Sequence, residues 1–218
     1  MKAMFLMLAF AFAAPAAGAA TDVSKVLGSI DIGAGQTAGK LASVNGSIEV
    51  GANATVGSIE TVNGHLRLGA GATAASMTTV NGGLTLDAQA HVAGDATTVN
   101  GSLNLAGGAE VGGSLSNVNG DVHVDGAHVG GIVKTVTGSI ETRGRARLDG
   151  GILVGKNSGN WTLMGESTPR IVIGPGSVVG GALRFERKVT LYISDRAEVK
   201  GAIEGAVAIR YSGETAPK

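Results

Sequence analysis

The chain has 218 residues, 17 basic and 17 acidic, with no cysteine, 37 glycines and only four prolines. Balanced charge argues against general nucleic-acid binding, which needs a basic footprint. The lack of cysteine excludes a disulfide framework and a lipid anchor on an N-terminal cysteine.

Residues 1–20 come first. Lys2 is followed by an apolar run over residues 3–13, then by Pro15 and the small residues Ala17-Gly18-Ala19-Ala20. This pattern predicts a secretory signal peptide cleaved after Ala19 or Ala20, and its apolar stretch is short for a membrane span. The mature protein is then expected in the periplasm or outside the cell.

From Val26 onward the chain repeats. Val-Asn-Gly occurs at Val44-Asn45-Gly46, Val62-Asn63-Gly64, Val80-Asn81-Gly82, Val99-Asn100-Gly101 and Val118-Asn119-Gly120. Variants stand at Val26-Leu27-Gly28 and Val136-Thr137-Gly138, and every interval is 18 or 19 residues. A fixed period of this kind marks a stacked repeat architecture.

Each glycine is followed by polar/apolar alternation, as in Ser47-Ile48-Glu49-Val50 and Ser102-Leu103-Asn104-Leu105. That is the period-two signature of a strand with one buried face. A second apolar point follows at Ala38, Val56, Ala74, Val92, Val111, Val129 and Leu148, and a third at Leu41, Ile59, Met77, Leu115 and Ile132. Three short strands per period, separated by Gly, Ala and Asn corners, predict an all-β fold. It is a single-stranded triangular β-helix, a solenoid of about nine coils of 18–20 residues, roughly 40–45 Å long. The preference of parallel crossovers favours right-handed winding. The glycines are expected where the chain turns tightly or takes positive φ. The column Asn45, Asn63, Asn81, Asn100 and Asn119 is expected to stack as a structural amide ladder at one corner.

These Val-Asn-Gly coils cover residues 21–155. An irregular excursion over 156–170, containing Lys156-Asn157-Ser158-Gly159-Asn160-Trp161, interrupts them. Terminal coils over 171–211 repeat at 20 residues, aligning Ile171-Val172-Ile173 with Leu191-Tyr192-Ile193, and a tail over 212–218 ends the chain. Over residues 167–213, the Ile173-Gly174-Pro175-Gly176-Ser177 run and the Ala197-Glu198-Val199-Lys200-Gly201-Ala202-Ile203 pattern resemble the bactofilins, polymer-forming β-helix proteins of bacteria. The resemblance implies a right-handed triangular β-helix that joins end to end without a nucleotide and acts as a scaffold near the envelope. It departs from that family in its export signal, because bactofilins usually work in the cytoplasm, and in its Val-Asn-Gly body.

Enzymatic β-helices that act on polysaccharides need clustered carboxylates and usually an aromatic groove. Beyond the leader the aromatics are Trp161, Phe185, Tyr192 and Tyr211, and the aspartates fall on different coils. No catalysis and no cofactor are expected. One outward column, Thr55, Thr73, His91, Glu110 and His128, offers a candidate metal site at His91, Glu110 and His128 if the three side chains converge. The alternative is a solvated polar ladder. The local Arg143, Arg145, Arg147 cluster reads as a solvated edge or a contact for an anionic envelope partner.

Two binding readings compete with a scaffold. A rod can act as a surface adhesin, or Thr and Asn of Thr61-Val62-Asn63 and its equivalents can present a flat outward array, as ice-binding β-helices do. The ends carry the last expectation. Exposed strand edges invite another chain, and the tail after Tyr211 is read as too short to fold into a cap. The expected function is an exported, non-enzymatic scaffold whose partner is a second copy of itself. The copies would join end to end through Val207, Ile209 and Tyr211, with cell-wall or envelope components as further partners.

Overall fold

A computed structural model describes residues 20–156 and 168–217. The proposed signal peptide and most of the excursion, including Trp161, lie outside the described residues. Within them the protein is all-β, with no helix and only parallel strand pairing.

The strands fall into three columns wound as a solenoid. The first face is a ten-stranded sheet that begins at Ile30–Ile32 and ends at Ala208–Tyr211. It therefore contains ten coils, against the nine expected, because the partial first coil and the terminal coil each contribute a strand. The second and third faces share one 17-stranded sheet. They merge because Thr55–Asn63 and Thr73–Asn81 run through the bend between them unbroken. Elsewhere that bend divides the chain, for instance between His91–Val92 and Ala96–Asn100.

Register keeps like above like. Ile48 lies between Ile30 and Leu66, and Leu103 between Leu84 and Val122. The second column from Ala38 through Leu148 is buried throughout. In the third column Leu41, Ile59, Met77 and Leu115 are buried, but Val133 takes the inward place expected of Ile132. The ladder also closes across the excursion, since Ile140 pairs with Ile171 as the next strand of the first face. Ile171–Leu191 and Leu183–Ile203 continue it at the longer period.

A further inward column is made of alanine. Ala54, Ala72, Ala90, Ala109, Ala127 and Ala146 are at most 2% exposed. Most of them close a tight turn at the corner between the first and second faces, such as Ala54 N–H to Gly51 O and Ala90 N–H to Asp87 O. The residue before the alanine takes positive φ, as in Asn53 at 56° and Gln89 at 61°. A corner this tight leaves room for one methyl group.

The Val-Asn-Gly corner works differently. Gly46, Gly64, Gly82, Gly101 and Gly138 do not have positive φ. Their backbones lie against the glycine one coil earlier, so a Cβ on Gly82 would come within 1.9 Å of Gly64 O. Close approach explains these glycines, and the expected positive φ holds at Gly28 and Gly120 of this column.

Candidate functional site

Around that corner each side chain has a separate task. Ser43, Thr61, Thr79, Thr98, Asn117 and Thr135 point inward and are at most 6% exposed. Thr61 Oγ1 donates to Gly46 O at 3.0 Å, and Thr98 Oγ1 to Gly82 O at 2.9 Å. A buried hydroxyl without such an acceptor would cost about 1–3 kcal/mol. The outward threonine array required by the ice-binding reading therefore does not exist. Alternation from buried Leu41 or Ile59 places the third residue inside and the valine outside.

Outside stand two parallel rows. Asn63 Nδ2 donates to Asn45 Oδ1 at 2.8 Å, and Asn81, Asn100 and Asn119 each donate to the asparagine below at 2.9 Å. Thr137 Oγ1 donates to Asn119 Oδ1 at the end of the run. Beside this ladder Val44, Val62, Val80 and Val118 are exposed. The result is a straight ridge of methyl groups and hydrogen-bonded amides.

His91, Glu110 and His128 do share one column of the second face. Glu110 lies between the rings, 3.3 Å from His91 Nδ1 and 3.4 Å from His128 Nδ1. His128 Nε2 meets Asp149 Oδ2 at 2.8 Å, and Arg147 Nε meets Asp149 Oδ1 at 2.8 Å. The chain of contacts runs along the rod as alternating acids and bases. Among the described residues no three His, Cys, Asp or Glu side chains form a group that could hold a metal ion. The arrangement is a ladder of polar side-chain contacts along the second face.

The hydrogen bond from His128 is the largest influence on Asp149, helped by Arg147 and opposed by burial, and it holds this carboxyl below its ordinary range. A depressed carboxyl stabilises the fold above its unfolded pKa, near 4, and loses that contribution as pH falls through its folded value. Asp149→Asn is thus expected to lower stability at pH 7. The deficit should shrink to nothing in strong acid, as read by urea denaturation across that range.

The arginine cluster does not stay together. Arg143 turns to Glu141 at 2.7 Å, Arg147 to Asp149, and Arg145 stands on the corner between the first and second faces.

At the C-terminal end Val207 is 88% exposed and Ile209 is 47% exposed. Tyr211 is not: it is 6% exposed, and burial pushes its phenol up from the ordinary range. Its side chain is covered within the rod, while its backbone stays on the last strand. Ile209 pairs with Tyr192 in the outward column of the first face, so it faces the side of the rod. The tail also departs from expectation. Arg196 Nη2 meets Glu214 at 2.5 Å, and Arg170 Nη2 donates to Pro217 O, so the tail straps back along the rod. Ala208–Tyr211 still pairs on one edge only.

Sequence reasoning missed the cations at both ends. Lys25 is in register with Ser43, in a column that points inward, and its Nζ bonds Ser29 O at 2.6 Å. Arg210 is in register with buried Ile193, yet is itself exposed. The signal for each was a charge at an inward position of the repeat.

No family model, curated protein or solved structure matches this chain. The fold is a parallel β-solenoid, and the bactofilin likeness rests on the terminal coils alone.

Proposed function

We propose that the protein is an exported, non-enzymatic scaffold whose rods join end to end in the cell envelope, in the manner of a bactofilin-like polymer. The observation that carries this reading is the continuity of the strand columns. Edges remain unpaired at Val23–Leu27 and Ile30–Ile32 at one end of the described rod and at Ala208–Tyr211 at the other. Val26, Leu27 and Val207 stand exposed beside them. An open edge of this kind templates another strand. A head-to-tail contact does not close on itself and so yields a filament.

Lys25 and Arg210 moderate this. Inward-pointing charges are a known way of blunting an edge, so the joint is reversible and concentration-dependent. Electron microscopy of the purified protein tests the reading. The expected images show thin unbranched filaments with an axial repeat of about 48 Å, ten coils at the spacing of stacked strands. Only isolated rods at high concentration would refute it.

A second reading, a surface rod that holds a partner along its side, is favoured by the ridge of Val44, Val62, Val80 and Val118. It predicts single rods whose binding is lost when those valines become serine.

A further inference from the structure

Arg143, Gly144, Arg145 and Ala146 form a turn in which Ala146 N–H bonds Arg143 O at 3.0 Å. Both central residues are left-handed, Gly144 at φ 59° and Arg145 at φ 65°. Most equivalent corners place one residue there in that conformation, a glycine, Asn53 or Gln89. Arg145 is the only charged residue among the described ones with positive φ. The strain is not relieved by any local contact of its guanidinium, which has no hydrogen-bond or ion-pair partner among the described residues. A strained backbone position that carries an exposed charged side chain is a reason to look for a ligand.

There is a place for one. Arg145 borders an open hollow of about 540 Å³, together with Arg143, Asp125, Pro175, Arg196 and Glu214. Gly176 leaves room for the Arg145 side chain, since a Cβ there would lie 2.8 Å from Arg145 Cγ. Arg196 is brought in by the ladder, since its carbonyl accepts from Gly176 N–H at 3.0 Å. Two of the three guanidiniums have carboxylate partners, Glu141 for Arg143 and Glu214 for Arg196. The third has none.

We propose that this corner binds a phosphate group carried by a larger molecule, with Arg145 as the principal contact and Arg143 and Arg196 flanking it. A phosphate offers three strong acceptor oxygens and up to two charges, so it can engage more than one guanidinium fork. A carboxylate satisfies one. Glu214, on the tail, supplies the resting counter-charge of Arg196. The site lies on the side of the rod, so this proposal stands whether or not rods join at their ends.

Calorimetric titration of the purified protein with pyrophosphate at low salt tests it, with malonate as the dicarboxylate control. Pyrophosphate should bind, and malonate should bind about tenfold more weakly. Arg145→Gly removes the contact and puts the residue suited to φ 65° in its place. It should weaken pyrophosphate about tenfold, the loss of one charge-assisted contact, without lowering the unfolding temperature. Arg196→Gln should weaken binding as well, while Lys40→Gln, on a distant coil, should leave it unchanged. Three results would overturn the proposal: no heat from pyrophosphate at about 10 mM, equal binding by malonate, or unchanged pyrophosphate binding in Arg145→Gly. A purely structural Arg145 would instead show a lowered unfolding temperature with binding intact.

Discussion

Gly82→Ala is expected to destabilise the rod by about 3 kcal/mol or more, the upper range for forcing atoms into a packed site. The added methyl would lie 1.9 Å from Gly64 O and 2.6 Å from Gly64 C, both backbone atoms of the coil beneath. No rotamer change relieves such a clash. The coils must separate at that corner, and separation there also strains the amide bonds of Asn81 to Asn63 and of Asn100 to Asn81. Gly107→Ala supplies the contrast, because nothing lies within 4 Å of its Cβ position and its φ is not left-handed. That substitution should be neutral or stabilising by up to about 1 kcal/mol through the unfolded chain. Urea denaturation of the two variants reads the difference. Equal stabilities would show that glycine is not required by coil-to-coil contact.

Arg210→Leu is expected to strengthen end-to-end association about a hundredfold. In a head-to-tail joint the strand Ala208–Tyr211 would add to Ile30–Ile32 of the next copy and continue the first face. Arg210 is in register with Ile193, which is fully buried. Its guanidinium would then be covered by the incoming coil or forced to bend around it. The penalty for burying an ion in a protein is several kcal/mol, and relief of about 2.7 kcal/mol corresponds to the hundredfold change. The fold itself should be unaffected, because Arg210 is exposed on the last strand. Sedimentation at matched concentrations measures the change. If the variant associates no better than the parent, this edge is not the joint.

The parts of the structure that were legible in the sequence share one property: they repeat. Ile48, Leu66 and Leu84 recur at a fixed interval, so the inward face of the first column is legible from spacing alone. The same holds for the asparagines, since identical residues one coil apart must lie within reach of each other. Direction at the third corner was not legible in this way. The strand Thr73–Asn81 runs on through the bend, and although alternation from buried Met77 puts Thr79 inside, the next residue, Val80, is the more apolar of the two and competes for that place. The period does not decide between them.

Single-copy features were harder still. Arg143, Arg145 and Arg147 alternate along the chain, yet one turns to Glu141, one to Asp149 and one to the hollow shared with Arg196. Arg196 is about fifty residues away in sequence and was joined to them only by the ladder across the excursion. Tyr211 reads as a terminal apolar residue, but in the fold it is covered while Ile209 is not.

Sedimentation equilibrium of the purified protein between about 1 and 100 µM tests the central claim, that the rods join end to end. The account predicts a weight-average mass that climbs steadily with concentration without stopping at a dimer, since a head-to-tail joint leaves a free edge after every addition. A mass that stays at one chain throughout that range, for the parent and for Arg210→Leu alike, would contradict it.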